Sequence, residues 1–215
     1  MLKILVADDH PLMRRALTLT ISETVERAEV TEVGDGDAVL AACRSAPWDL
    51  VILDVVMPGR SGIEVLEQLR ALRPEIPVLM VSALPESAYA VRALRLGAAG
   101  FVSKASAVAD LGVAVRRILS GGRYVSPSLG EALAHAVVDG VDNDAHGGVS
   151  AREFDVLVRL ARGEQVGGIA RALHLSAKTV STYRSRIYLK LHLASNADAT
   201  LYALRHGLIE PVPTA

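Results

Sequence analysis

Two adjacent carboxylates, Asp8-Asp9, end the first apolar run of this 215-residue chain, and a third, Asp54, ends another. Ser82 and Lys104 close two further runs of the same kind. Carboxylates brought together repel and raise one another's pKa. A divalent, oxygen-seeking cation such as Mg2+ relieves that repulsion, bound by a few carboxylates, waters and phosphate oxygens. With the cation in place, one carboxylate can attack phosphorus as a nucleophile. A lysine and a hydroxyl beside it are the donors that neutralise and orient phosphoryl oxygens. The residue types therefore predict phosphoryl transfer to Asp54. Asp8, Asp9 and Asp54 face the metal, Lys104 pairs with one phosphoryl oxygen and Ser82 donates to another. Taken singly, each has a commoner explanation: an aspartate at a strand end is usually a cap, and a lone lysine usually reaches the surface. Five polar residues at four strand ends carry the reading jointly.

Such a cluster needs elements that bring distant residues to one edge. Residues 2–7, 29–33, 50–53, 78–81 and 100–102 read as strands, and helical patterns follow at 11–26, 38–44, 63–72, 89–96 and 108–119. The third and fourth strand runs are wholly apolar, as expected of strands covered by helices on both faces of a parallel sheet. Five β-α units predict a doubly wound α/β domain over residues 1–120, with function in the loops after the strand ends. Residues 121–148 break the rhythm. They hold Gly121-Gly122, Pro127 and a Gly- and Asp-rich stretch at 139–148, a linker composition with room for one short helix at 128–138.

From residue 149 to the end the pattern is all helical. Ser150-Ala-Arg-Glu153 is a capping box opening a helix to about residue 162. A short helix at 169–173, a turn at His174-Leu175, a longer helix from Ser176 to 191 and a last one capped by Asn196 complete a helix-turn-helix domain of four helices.

Hydrophobic residues make up 51% of the chain and charged residues 22%, enough apolar material for two cores. The single cysteine, Cys43, excludes an internal disulfide, and the six histidines show no metal-ligand spacing; His10 is assigned no role beyond a helix start. The brief apolar run before Asp8 is too short for a signal peptide or a membrane span, so a cytoplasmic location is expected. The net charge of −1 is unevenly spread. Residues 1–120 carry 13 basic and 15 acidic side chains, residues 121–149 carry 1 and 4, and residues 150–215 carry 9 and 5. A net +4 on the last piece points to nucleic acid.

The stretches Leu5-Val-Ala-Asp-Asp-His-Pro11, Asp54-Val-Val-Met-Pro-Gly-Arg-Ser-Gly62, Val81-Ser82 and Gly97-Ala-Ala-Gly-Phe-Val-Ser-Lys104 resemble the receiver domain of two-component response regulators. The resemblance spans residues 1–120. It implies that Asp54 takes a phosphoryl group from a sensor histidine kinase, and that the backbone carbonyl of Val56 joins the Mg2+ ligands. It also implies that Ser82 and Phe101 shift as a switch, and that Pro58 and Gly62 shape the loop after Asp54. Val56 and Leu84, two residues beyond Asp54 and Ser82, cannot orient an attacking water. Slow self-dephosphorylation is expected, faster in Val56→Asn or Leu84→Asn.

On the Ser176-capped helix, Val180, Ile187 and Leu191 share an apolar face, and Lys178, Ser181, Thr182 and Ser185 share a polar one at i, i+3, i+4 and i+7. Arg184, Arg186 and Lys190 flank them. A small polar face fits a major groove, with basic flanks near phosphates. Residues 149–209 resemble the LuxR-type helix-turn-helix of the NarL/FixJ class. The matching residues are Ser150-Ala-Arg-Glu153, Val156-Leu157, Leu160-Ala161, Gly163, Ile169-Ala170, Leu173, Leu175-Ser176, Lys178-Thr-Val180 and Lys190-Leu191. The resemblance implies backbone contacts from Lys178 and Thr179, base contacts from Ser181, Thr182 and Ser185, and pairing of two protomers through the helix of Asn196, Thr200, Leu201 and Leu204. Val166-Gly167-Gly168 depart from the family, which usually places a cap and charged residues there. Glycine in a helix costs roughly 0.5–1 kcal/mol relative to alanine. A frayed helix start and DNA affinity that leans on dimerisation are expected.

These readings predict a phosphorylation-dependent DNA-binding regulator rather than an enzyme. The alternatives are a phosphorylation-independent regulator and a protein-interaction module using the same helix-turn-helix. A phosphatase of the haloacid dehalogenase type would need an Asp-x-Asp pattern after the first strand, and Asp8 and Asp9 are adjacent.

Overall fold

The computed structural model describes residues 1–83, 86–127, 129–130 and 148–209. It divides into two compact units, Met1–Leu133 and Ala134–Ala215.

The first unit is a five-stranded parallel sheet in the order β2-β1-β3-β4-β5. Its strands are β1 (Leu2–Ala7), β2 (Ala28–Val33), β3 (Leu50–Asp54), β4 (Val78–Ser82) and β5 (Gly100–Ser103). Helices α1 (Pro11–Thr24), α2 (Gly36–Ser45), α3 (Gly62–Leu72), α4 (Glu86–Arg95) and α5 (Ala107–Leu119) follow them in alternation. Every residue of β3 and β4 is buried, which is why these strands read as unbroken apolar runs. The edge strand β2 alternates between half-buried and exposed residues, as its sequence does. One layer of core gathers Ile4, Val6, Ile52, Leu79 and Val81 from the sheet with Leu17 and Ile21 of α1 and Leu111, Val115 and Ile118 of α5.

The chain winds outward in opposite directions from β1 and β3, which lie side by side. Such a switch in strand order opens a crevice at the carboxyl ends of the two strands. Asp8 and Asp9 leave β1 there, and Asp54 ends β3.

Several helix boundaries differ from the sequence expectation. Helix α4 starts at Glu86 rather than 89, and α2 at Gly36 rather than 38, because Asp35 caps it by accepting from the Ala38 N–H at 2.8 Å. The short helix expected at 128–138 lies almost entirely outside the described residues, as does Leu84.

The second unit holds α6 (Ala151–Ala161), α7 (Val166–Ala172), α8 (Ala177–Leu191) and α9 (Asn196–Arg205). Ser150 and Glu153 form the expected capping box. Helix α7 begins three residues earlier than its apolar pattern predicts, so Gly167 and Gly168 lie inside it. The Gln165 carbonyl accepts from both Gly168 and Ile169, and no side chain caps this start. The tight turn from α7 to α8 places His174 in the left-handed region at φ 54°. Ser195, not Asn196, caps α9: its hydroxyl accepts from the Asp198 N–H at 3.1 Å. Asn196 is the first helical residue, and its side-chain oxygen accepts instead from the Tyr188 hydroxyl. Among the described residues, no helix is long and apolar enough to cross a membrane.

Candidate functional site

The crevice beyond β1 and β3 brings together Asp8, Asp9, Asp54 and Lys104. Asp8 is fully buried and Asp54 nearly so. The Asp8 carboxylate accepts from the His10 N–H at 2.8 Å, and its backbone carbonyl accepts from the Arg14 guanidinium at 2.6 Å. Arg14 in turn pairs with Glu32 of β2 at 3.2 Å, where Thr18 also donates at 2.8 Å. The β1–α1 loop is thus pinned from two sides. Asp54 Oδ1 accepts from the Val56 N–H at 3.3 Å.

Lys104 bridges the two strands' carboxylates. Its Nζ lies 2.6 Å from Asp8 Oδ2 and 2.7 Å from Asp54 Oδ2. Its own backbone N–H donates to the Ser82 carbonyl at 2.7 Å, which fixes the loop after β5 to the end of β4. Ser82 is buried at that strand end, and Phe101 is fully buried in β5. Burial pushes the Asp54 carboxyl up to about 6; Lys104 opposes this and the Asp8 charge adds to it. For Lys104, burial works against the ammonium, but Asp54 and Asp8 outweigh it and hold its pKa above the ordinary lysine value.

Asp8, Asp9, His10 and Asp54 each offer one ligand atom, all within 4.8 Å of one another. Three carboxylates facing one ammonium leave excess negative charge, and hard carboxylate oxygens are the donors a small divalent cation prefers. The residues present therefore fit Mg2+. His10 was not expected here. Its exposed imidazole places Nδ1 2.6 Å from Asp9 Oδ1 and 3.6 Å from Asp8 Oδ1. Its side chain makes no cap at the start of α1, where Pro11 leaves one N–H fewer to satisfy.

The loop from β3 to α3 is shaped by Gly62 more than by any side chain. A Cβ at Gly62 would sit 2.0 Å from the Asp54 carbonyl oxygen and 2.9 Å from its carbon. Gly62 N–H donates to the Val55 carbonyl at 2.9 Å. Ser61, buried beside it, caps α3 in a second capping box with Glu64, while Pro58 is half-buried in the same loop.

In the second unit, Val180 and Ile187 bury the inner face of α8, with Leu191 half-buried beside them. Lys178, Thr182, Ser185 and Arg186 are exposed, and Thr179, Ser181 and Arg184 half-buried. The Ser176 hydroxyl accepts from the Thr179 N–H at 3.0 Å and lies 2.7 Å from the Thr179 hydroxyl. On α9, Leu201 and Leu204 are exposed. Asn196 and Thr200 are engaged within the chain, Asn196 accepting from the Tyr188 hydroxyl and Thr200 donating to the Ala161 carbonyl at 2.9 Å.

One contact ties α8 to the start of the unit. Lys190 Nζ lies 2.6 Å from Glu153 Oε2, the carboxylate that also accepts from the Ser150 N–H at 2.8 Å. Burial alone would raise the Glu153 carboxyl, but the hydrogen bonds from Lys190 and Ser150 hold it below the usual glutamate range. Glu153→Gln is expected to destabilise this unit by about 1–2 kcal/mol at neutral pH. A depressed folded pKa means the contribution is present above the ordinary value of about 4.3 and fades as pH falls below it. Urea unfolding of the full chain at about pH 7 and pH 4 measures both. Equal stability of the two proteins at pH 7 would mean the contact contributes nothing.

Comparison with known proteins agrees with this geometry. The family described as the response regulator receiver domain matches residues 4–116, and the bacterial regulatory proteins of the luxR family match residues 148–203. Response regulator GacA of Pseudomonas aeruginosa is 33% identical over 211 residues, covering 98% of this chain and 99% of that protein. Response regulator UvrY of Escherichia coli is 28% identical over 209 residues, covering 97% of this chain and 96% of UvrY. Among solved structures, RcsB from Salmonella enterica serovar Typhimurium bound to a promoter is similar, with a TM-score of 0.60 and 25% identity over 96% of this chain and 98% of that one. An acidic crevice at the receiver's strand ends, a helix-turn-helix behind it, and relatives matched over nearly their whole length place this chain among the two-component response regulators of the NarL/FixJ class.

Proposed function

We propose that this protein is a phosphorylation-gated transcription regulator: phosphorylation of Asp54 in a receiver (residues 1–120) controls dimerisation and DNA binding by a helix-turn-helix domain (149–215) across a linker (121–148). The observation that carries the reading is Lys104, held between Asp8 and Asp54 at 2.6 and 2.7 Å in the crevice. An ammonium there is already placed to pair with a phosphoryl oxygen on Asp54. The donor is a phosphohistidine of a sensor kinase. An Asp54 carboxylate oxygen attacks phosphorus, the phosphorus–nitrogen bond breaks, and the imidazole leaves. Asp8, Asp9, Asp54 and the Val56 carbonyl would hold Mg2+, which supplies charge neutralisation for the incoming group. Ser82 hydrogen-bonds a phosphoryl oxygen, and its shift is transmitted to Phe101 as the switch. With Val56 two residues beyond Asp54, hydrolysis of the phosphoryl group is slow.

Lys178 and Thr179, with Arg184 and Arg186, contact the DNA backbone, while Ser181, Thr182 and Ser185 face bases. The RcsB structure bound to a promoter supports this use of the fold. Protomers pair through α9, where Leu201 and Leu204 offer exposed apolar surface. Asn196 and Thr200, spent on contacts within the chain, contribute less. The setting is the cytoplasm, where kinase and DNA are both within reach.

The test is treatment of the full chain with acetyl phosphate and Mg2+, followed by intact mass and oligomer size. Wild type should gain one phosphoryl group and shift toward dimer, and Asp54→Ala should do neither. A shift to dimer in both proteins would favour phosphorylation-independent regulation. Wild type left unmodified would refute the gate.

A further inference from the structure

Helix α8 presents a stripe to solvent along its length. Lys178, Thr182, Ser185 and Leu189 are all exposed at i, i+4, i+7 and i+11, opposite the buried Val180 and Ile187. Leu189 is 78% exposed, in the middle of that face rather than at its border with the core. The stripe contains no Asn, Gln, Asp or Glu. Apart from Lys178 at its end, which the proposed function places on phosphate, what it can recognise depends on two hydroxyls, one methyl and one isobutyl group.

The hydroxyls are already oriented. Thr182 Oγ1 donates to the Lys178 carbonyl at 3.0 Å, and Ser185 Oγ donates to the Ser181 carbonyl at 3.1 Å. A hydroxyl has one proton and two lone pairs. With the proton held inside the helix, what each offers outward is an acceptor. In the major groove the exposed amino donors belong to adenine N6 and cytosine N4, and only thymine carries a methyl group. An A·T pair shows a donor and a methyl together. A G·C pair also shows one donor, cytosine N4, so the hydroxyls of Thr182 and Ser185 alone do not choose between the pairs. The choice falls to the thymine methyl, which a G·C pair lacks and an apolar side chain can meet.

We propose that Thr182, Ser185 and Leu189 form a reader that selects A·T pairs in the middle of each DNA half-site, with hydroxyl lone pairs on adenine N6 and Thr182 and Leu189 carbons on thymine methyls. This rests on the reading of α8 as the DNA-facing helix. At a rise of about 1.5 Å per residue, Ser185 lies about 4.5 Å along the axis from Thr182 and Leu189 about 6 Å further. At about 3.4 Å per base pair the three side chains span about three steps. Lys178 and Arg186, at one end and one flank of the stripe, remain for phosphates.

The experiment is selection from a randomised duplex library by the full chain treated with acetyl phosphate and Mg2+. The selected half-sites should share two or three consecutive A·T pairs. In such a site, replacing thymine by uracil should weaken wild type about fourfold per lost methyl. At one of these positions Leu189→Ala should bind thymine and uracil sites equally. Replacing adenine by purine, which lacks the 6-amino group, should weaken wild type by several-fold to about tenfold, and Ser185→Ala should lose that sensitivity at its own position. Both side chains are exposed, so unchanged thermal unfolding of the variants separates recognition from folding. Half-sites with G·C pairs at these steps, or indifference of wild type to uracil, would overturn the reader and leave DNA binding standing. A library with no enriched sequence would overturn the DNA-facing assignment of α8 and the reader with it.

Discussion

Replacing Gly62 with alanine is expected to lower the melting temperature of the receiver by about 10 °C and to slow phosphorylation of Asp54 by acetyl phosphate about a hundredfold. The first residue of α3 packs directly on the backbone at the end of β3. A Cβ there meets the Asp54 carbonyl oxygen at 2.0 Å and the Val55 Cα at 3.0 Å. No rotamer relieves a clash between a Cβ and a backbone carbonyl, so α3 or the end of β3 must move. Overpacking of a tight core costs about 1–3 kcal/mol, and a contact this short with rigid partners belongs at the upper end. The displaced atoms are those of Asp54, the proposed phosphoacceptor. A shift of about 1 Å in a reacting group costs about a hundredfold in rate. Gly34→Ala is the control: a Cβ there meets nothing nearer than an Arg14 guanidinium nitrogen at 3.5 Å. Thermal unfolding and the rate of mass gain read the two effects separately. A Gly62→Ala protein that melts and phosphorylates like wild type would show that α3 can give way freely.

The same glycine shows where sequence reasoning stops. Asp8, Asp9, Asp54 and Lys104 were legible because buried parallel strands announce themselves as apolar runs, and the crevice lies where such runs end. That Gly62 shapes the loop came from resemblance; that its missing Cβ makes room for the Asp54 carbonyl needs three dimensions. His10 was passed over because a lone histidine before proline looks like a helix start, and only the fold turns its ring toward Asp9. Helix starts were the least legible feature. At α9 both Ser195 and Asn196 are good caps by type, and the choice between them is settled by which N–H is within reach. At α7 the glycines pointed to a frayed entry and a start at 169, and the Gln165 carbonyl begins the helix three residues earlier regardless. The polar face of α8 was visible as a pattern. The direction in which its hydroxyl protons point was not, because donation to the carbonyl four residues earlier depends on rotamer.

In the absence of divalent metal, Asp54→Asn is expected to stabilise the receiver by about 2–3 kcal/mol near pH 7.5, although it removes the proposed phosphoacceptor. Burial lifts the Asp54 carboxyl to about 6, with the Asp8 charge adding to it and Lys104 only partly offsetting it. A carboxyl raised on folding binds its proton more tightly in the folded state than in the unfolded one. Its contribution to stability is therefore full below the unfolded value of about 3.9 and is lost as pH rises through about 6. Above that, the folded protein carries a buried carboxylate it would hold more easily as a neutral group. Asparagine keeps the shape and removes the charge. The gain should appear in chelator at about pH 7.5, shrink through pH 6 to 4 as wild type takes up its proton, and narrow when Mg2+ is added. Unfolding in urea across that range, with and without Mg2+, measures all three. Should Asp54→Asn be no more stable than wild type in chelator at pH 7.5, or gain equally at every pH, the crevice does not strain the ionised acceptor. If the gain follows the predicted course, the residue proposed to receive the phosphoryl group is also one the folded domain holds at a cost to its own stability, a cost that metal binding or the proposed phosphorylation would relieve.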